Sequence, residues 1–257
     1  MHTLLRHLTV LCCLLVLPAC TARSQTVKTY GYKVEEVLPH DAGSYTQGLF
    51  FHDGVLYESA GQYGQSSFRQ VDLKTGRVER RLNFDRRYFA EGSCVLDGKL
   101  YVLTWQEQEC FVYDLATWEK RGSFRYRGEG WGLTTDGKSL IMSDGSSEIT
   151  FRNPETFQPE RTITVTLRGQ KVLYLNELEY IKGEIWANVY GTDQIVRIDP
   201  ATGVVRAVIN LRNILPAQQR TSGTDVLNGI AVDARGNIYV TGKYWPKMYR
   251  ITLVEKK

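Results

Sequence analysis

The sequence predicts an all-β fold, a five-bladed β-propeller with a central channel, and three observations predict it. A polar-Gly turn recurs at Asp53-Gly54, Asp97-Gly98, Asp136-Gly137, Lys182-Gly183 and Arg235-Gly236, roughly 40 to 50 residues apart. Each turn is followed by an apolar-alternating strand, VLYES, KLYVLTW, SLIMSD, EIWANVY and NIYVTGK, rich in the β-branched and aromatic side chains that suit a pleated surface. No segment keeps a 3.6-residue apolar period; NLRNILPAQQR alone hints at a helix, and Pro216 interrupts it.

Taken in order, each turn with its flanking apolar runs reads as a hairpin. A second turn follows about one hairpin later, in VDLKTGRVE, YDLATWEKR, FRNPETFQPE and RIDPATGVV, with Asp or Asn leading it. Each unit therefore offers about four strands in roughly 40 to 50 residues, the length of a propeller blade. The fifth unit has only KMYRITLV after its hairpin, while an orphan strand, YKVEEVL, stands before the first. A ring without a free sheet edge needs the chain ends to share a blade, so residues 32–38 are expected to close it.

With 257 residues, 42% of them hydrophobic and 23% charged, the chain suits a globular body with a sizeable core. The net charge of +4 is spread along it, and the densest basic cluster, ERRLNFDRRYF, is interleaved with acids and aromatics. That cluster reads as a solvated strand face, and no nucleic-acid partner is expected. The first nineteen residues carry Arg6 and two histidines and then an apolar run from Leu8 to Leu17, too short to span a bilayer comfortably, which reads as an export signal. It ends in LPAC, which resembles a bacterial lipobox with Cys20 as the lipidated mature N-terminus, and Thr21 after it favours the outer membrane. The expected organisation is a signal over 1–19, a tether over 20–31 and one propeller domain over 32–257. The protein is then a periplasm-facing monomer that meets the membrane only through its lipid; a plain secretory signal, leaving a soluble periplasmic protein, is the alternative. Cys94 and Cys110 are the cysteines of the body, and in an oxidising compartment they either pair or stand as two small buried thiols.

In a propeller the innermost strands line the channel, so matching positions from every blade form a ring. Just before the inner strands stand Gln47-Gly48, Glu91-Gly92, Trp131-Gly132, Asn176-Glu177 and Asn228-Gly229; at the far end of the next strand stand Gly61, Trp105, Asp144, Tyr190 and Lys243. Antiparallel neighbours put both sets at one end of the channel. Taken singly, an aromatic residue reads as core and a polar one as a turn former. Taken as a set, unlike polar and aromatic groups at equivalent positions read as a site: the scaffold repeats and the chemistry does not. A carboxylate and an ammonium facing an aromatic-walled, dead-ended channel describe a small-molecule or chain-end site with an acid and a base. Metals are poorly served, because only His40 and His52 lie outside the leader and no HExxH or Cys/His spacing occurs. Asp144 in MSDGSSEI reads as an oxygen ligand or, equally, as a turn former. The absence of GxSxG, P-loop and GxGxxG motifs leaves serine hydrolysis, nucleotide hydrolysis and dinucleotide binding without support.

Seven motifs occur in order: YTQGL (45–49), YFAEG (88–92), LTW (103–105), EGWGLT (129–134), LNELEYI (175–181), IWANVYGTD (185–193) and VTGKYWP (240–246). In these the chain, from about residue 33 to residue 253, resembles the plant-type glutaminyl-peptide cyclotransferases, which also occur in bacteria. The resemblance implies a five-bladed propeller that converts the N-terminal glutamine of peptides or proteins to pyroglutamate and ammonia, without a cofactor or catalytic zinc. By motif match Gln47, Glu91, Trp105, Trp131, Asn176 and Lys243 fall at the family's site positions, with Tyr45 and Phe89 nearby. Tyr190 stands where the plant members have Trp, which changes the pocket's shape. On this implication Glu91 and Lys243 are catalytic, and the other seven bind substrate. A non-catalytic, lipid-tethered propeller binding a peptide end or envelope partner is the alternative. A metal-dependent lactonase-type propeller is a third reading, and Lys243 at the ring argues against it.

Overall fold

The protein is described over residues 26–256 in a computed structural model, so the expected signal over 1–19 and Cys20 lie outside the described residues. Alternating apolar sequence and glycine turns give strands almost throughout, and the 3-10 turn Ala217–Gln219, directly after Pro216, is the one helical element among the described residues. The N-terminal strand β1 (Lys28–Pro39) precedes three four-stranded antiparallel sheets. The first holds β2 (Thr46–His52), β3 (Val55–Ala60), β4 (Ser67–Val71) and β5 (Val78–Asn83). The second holds β6 (Ala90–Leu96), β7 (Lys99–Thr104), β8 (Glu109–Asp114) and β9 (Lys120–Arg125). The third holds β10 (Leu133–Thr135), β11 (Leu140–Ser143), β12 (Glu148–Arg152) and β13 (Pro159–Thr164). A small hairpin of β14 (Thr166–Leu167) and β15 (Gln170–Lys171) follows.

The remaining strands are β16 (Leu175–Ile181), β17 (Glu184–Val189), β18 (Gln194–Ile198), β19 (Val205–Asn210), β20 (Leu227–Val232), β21 (Ile238–Gly242) and β22 (Lys247–Lys256). They form one eight-stranded sheet in the order β16-β17-β18-β19-β1-β22-β21-β20. β1 joins its two halves, running antiparallel to β22 from Thr29↔Lys256 to Pro39↔Lys247 and parallel to β19 over Lys28 to Tyr30. The N-terminal strand thus covers the edge that the closing argument left open. It begins at Lys28 rather than at residue 32, because Tyr30 and Tyr32 pack against the apolar cluster around Ile209, Leu211 and Ile251. Residues 28–31, expected in the tether, are therefore strand.

The inner strands β2, β6, β10, β16 and β20 contact one another in that cyclic order and back to β2, so the whole is all-β and closed about a central axis. The apolar core lies in the seams between sheets: Leu49 and Leu56 meet Ala231, Tyr239 and Met248, and Phe50 and Phe68 meet Leu100 and Phe111. That leaves the axis to polar side chains. The sheets approach so closely there that a Cβ on Gly92 would lie 2.3 Å from the Leu133 nitrogen, and one on Gly132 2.0 Å from the Asn176 oxygen, which only glycine permits. Burial falls outward, from the fully buried β6 to the exposed β9 and β5, and β5 carries Arg80 and Arg81 of the basic cluster on a solvated edge.

Of the two readings for the body's cysteines, the structure has the buried free thiols. Cys94 is on β6 and Cys110 on β8, with β7 between them. Strands two apart in a sheet are separated by about 9.5 Å, beyond the reach of a disulfide.

Candidate active site

The ring residues reach the axis because the inner strands are irregular where those residues stand. Pairing slips between Thr46 and Gly48 in β2, Ala90 and Ser93 in β6, Leu175 and Leu178 in β16, and Leu227 and Ile230 in β20. Gln47, Glu91, Asn176 and Asn228 lie inside these slips, and a bulge re-aims a side chain out of the regular pleat. In the third sheet Trp131 and Gly132 precede β10 and are held by Trp131 N–H to Ser143 O at 3.1 Å and Ser143 N–H to Gly132 O at 3.0 Å.

Tyr45, Gln47, Phe89, Glu91, Trp105, Trp131, Asn176, Tyr190 and Lys243, the nine residues assigned to the site through the resemblance, all line one cavity of about 290 Å³. Gln62, which the sequence reading missed, lines it too. Asp144 does not: its carboxylate accepts from the Ser146 N–H at 3.0 Å and hydroxyl at 2.6 Å, so it is the turn former of the two readings offered. Asn228 stands behind the cavity wall, its Nδ2 donating to Thr46 O at 2.9 Å and Gln47 Oε1 at 3.2 Å.

Gln47 Nε2 in turn donates to Glu91 Oε1 at 2.8 Å, so a chain of amides orients the carboxylate. Glu91 is 4% exposed, and burial pushes its carboxyl well above the usual carboxylate range; the Lys243 charge pulls it back, while Glu129 and Glu107 add to the rise. Lys243 is 2% exposed. Burial lowers its ammonium to about 8, against the pull of Glu91 and Asp225. Its Nζ sits 4.4 Å from the centre of the Tyr45 ring and 5.1 Å from that of Tyr190, so aromatic faces hold the charge. An acid driven up and a base driven down, on one small cavity, is the arrangement of a proton-transfer site.

The wall is aromatic. Phe89 packs edge-on against Trp105 at 5.5 Å between ring centres and Tyr45 at 5.9 Å, and Trp131 against Tyr190 at 5.7 Å. Both indoles donate to one oxygen of Glu129, Trp105 Nε1 at 2.7 Å and Trp131 Nε1 at 2.9 Å. Asn176 is 2% exposed, and among the described residues its Oδ1 has no hydrogen-bond partner. A buried acceptor left open on a cavity is a place for a ligand's N–H.

The sequence reading missed Gln62, Glu129 and Asp225. Glu129 carried a usable signal, since it stands two residues before Trp131 in EGWG. Gln62 carried none: it follows the ring glycine Gly61 in a turn, and its φ of 106° is set by the fold. Among the described residues no group of three or more His, Cys, Asp or Glu is placed to hold a metal ion.

A family model described as glutamine cyclotransferase matches residues 7–253 of the chain. The chain is 44% identical over 223 residues to the glutaminyl-peptide cyclotransferase of Arabidopsis thaliana, covering 84% of this chain and 69% of that protein. The crystal structure of Myxococcus xanthus glutaminyl cyclase superposes with a TM-score of 0.84 at 35% identity, covering 90% of this chain and all of that one.

Proposed function

Because the chain belongs to the glutamine cyclotransferase family, we propose how its cavity closes an N-terminal glutamine into pyroglutamate. The protein is a glutaminyl-peptide cyclotransferase acting on peptides or proteins that begin with glutamine. In the reaction the α-amine nitrogen bonds to the side-chain carboxamide carbon and the old carbon–nitrogen bond breaks; an amine that arrives as an ammonium gives up two protons, one to free its lone pair and one as the tetrahedral intermediate collapses, and the departing nitrogen carries both away as ammonium. Both reacting groups belong to one residue, so the enzyme folds the chain end into an attacking geometry and moves protons.

The observation that carries the assignment is a buried carboxyl, Glu91, and a buried ammonium, Lys243, lining one aromatic cavity. A free α-amine has a reference value of about 7.7 to 8 and arrives mostly as an ammonium. Glu91 pairs with it and takes its proton as attack begins; a carboxylate whose proton affinity is raised toward that of the amine is matched to the transfer. The carboxamide NH2 donates to the open Asn176 Oδ1 and selects an amide over an acid at that end. Lys243 faces the carboxamide oxygen, stabilises the tetrahedral oxyanion and, at about 8, is able to yield a proton to the leaving nitrogen. Trp105, Trp131, Phe89 and Tyr190 enclose the methylene stem and keep water from competing with the amine. Ammonia release from a glutamine-initiated peptide tests the reading. Release that persists in the presence of a chelator is expected, and loss on chelation overturns the metal-free mechanism.

The same reading takes the fold as a five-bladed propeller. Five repeated turns and five inner strands in circuit support it, with β20 to β22 and β1 making the last blade and the β1–β19 pairing joining it to its neighbour. We also read the protein as a monomeric, periplasm-facing outer-membrane lipoprotein. The apolar leader and LPAC support this, with Cys20 as the lipidated residue. Cys20→Ala is then expected to move the protein from the membrane to the soluble fraction with unchanged activity. A variant that still pellets with membranes overturns the anchor.

A further inference from the structure

We propose that Glu129 is a positioning residue of this active site: a single carboxylate oxygen clamps the two indole walls together across two sheets and presents a fixed negative charge to Glu91. The inference rests on the reading of Glu91 as the base.

The geometry is specific. Trp105 follows β7 in the second sheet and Trp131 precedes β10 in the third, and the Gly130 N–H donates to Trp105 O at 2.9 Å to bring the two segments side by side. Their Nε1 atoms converge on the same Glu129 Oε2, at 2.7 and 2.9 Å. The other oxygen, Oε1, accepts from Gln106 Nε2 at 3.1 Å and fixes the carboxylate in turn. Hydrogen bonds to a charged acceptor are about twice as strong as neutral ones. The clamp reaches further than two rings, because Phe89 packs on Trp105 and Tyr190 on Trp131. Glu129 itself does not line the cavity, so it acts through the walls.

Its charge is held in place. Partial burial alone would raise the Glu129 carboxyl, but the hydrogen bonds from Trp131, Trp105 and Gln106 leave it below the ordinary carboxylate value and ionised where the enzyme works. The charged groups that act on Glu91 are Lys243, which favours its ionised form, and Glu129 and Glu107, which oppose it. Glu107 is occupied by the Tyr63 hydroxyl at 2.9 Å and the Phe89 N–H at 3.3 Å. The Tyr45, Tyr63 and Tyr126 phenols also sense the Glu91 charge, and the neutral Gln47 amide donates to it. The residue that shapes the slot therefore also raises the proton affinity of the base within it.

Two variants separate these roles. Glu129→Gln keeps a carbonyl oxygen for the indoles and removes the charge; Glu129→Ala removes both. Steady-state kinetics on a glutamine-initiated peptide are read across pH, and acrylamide quenching reports the indoles, since Trp118, Trp186 and Trp245 of the five tryptophans are buried. With Glu129→Gln the acid limb of the kcat/KM profile is expected to move to lower pH, with quenching as in the wild type. With Glu129→Ala the limb is expected to move likewise, KM to rise about tenfold and quenching to increase. An acid limb unmoved in both variants overturns the charge role, and Glu129→Ala with wild-type KM and quenching overturns the clamp. Should Glu129→Ala fail to fold, Glu129→Gln still decides the charge role. A folded Glu91→Gln protein measured in parallel keeps the failures apart: full turnover there removes Glu91 as the base, while the quenching arm still reports on the clamp.

Discussion

Replacing Lys243 by methionine is expected to make the protein more stable and much slower. Lys243 is 2% exposed, and burial brings its ammonium from an ordinary 10.5 to about 8. That depression corresponds to roughly 3 kcal/mol of unfavourable burial of the charged form. The unfolded chain holds the proton up to about 10.5 and the folded protein only to about 8, so between those values the unfolded state binds more protons and stability rises with pH. Below about 8 the full penalty stands. Lys243→Met keeps the stem between the Tyr45 and Tyr190 rings and removes the ammonium, so urea midpoints at pH 7 should rise and this part of their pH dependence should flatten. In the reaction the same change removes charge from the developing oxyanion, and loss of one such donor costs about 10² to 10³ in kcat. KM should change little, the signature of an interaction made mainly in the transition state. Lys243→Arg should restore part of kcat and lose the alkaline limb near 8, because a guanidinium stays charged. Wild-type kcat in Lys243→Met, or a rise in KM alone, would refute the reasoning and make Lys243 a binding residue only.

Glu91→Gln should keep the fold, since a neutral isostere still meets Gln47, and should lower kcat by about 10² to 10⁴, read by ammonia release. Asn176→Leu fills the same space without an acceptor, so KM for a glutamine-initiated peptide should rise about tenfold or more; unchanged KM would free Asn176 Oδ1 of its role. Away from the cavity, Glu58 accepts from His40 Nε2 at 3.0 Å and from the Ser44 and Thr46 hydroxyls at 2.6 Å each. Burial alone would raise Glu58, but His40 and then Arg69 hold it at about 2. Its contribution is therefore present above the ordinary 4.5 and lost as pH falls through about 2, and Glu58→Gln should destabilise by about 3 kcal/mol at pH 7 and by less than half of that at pH 3 in urea titrations.

The fold was legible because it repeats. Asp53 and Gly54, Asp97 and Gly98, and Lys182 and Gly183 all have φ near +50° to +80°, two successive left-handed residues that bind a two-residue hairpin to its sequence. The cavity was legible because equivalent positions in a closed circuit must face one another. What repetition cannot report is direction beyond a strand end. Asp144 occupies the same repeat position as Trp105, Tyr190 and Lys243, yet it turns outward. In the third sheet the space is already taken by the Trp131 ring lying on Gly145, where a Cβ would come within 2.6 Å of the indole. Two wall positions thus compete for one volume, and only packing decides between them. Glu129 and Asp225 were missed for a related reason: each acts on the cavity from outside the ring positions.

One departure from the repeat ties the inner strands together. Gln47, Glu91, Trp131 and Asn228 are each followed by glycine, and Asn176 is followed by Glu177. Glu177 is 1% exposed and reaches across the axis, its two oxygens accepting from the Leu49 N–H on β2 at 3.3 Å and the Ile230 N–H on β20 at 2.9 Å. The bulges that turn Gln47 and Asn228 inward take backbone donors out of regular pairing, and a buried donor without an acceptor is costly. A glycine at position 177 would leave the Leu49 and Ile230 donors without this acceptor. The carboxylate satisfies both and joins β16 to β2 and β20, two residues along each strand from Gln47 and Asn228. Three inner strands are therefore tied together by the one repeat that breaks the glycine pattern, and the four glycines that keep it let the sheets approach closely enough for a single side chain to span the gap.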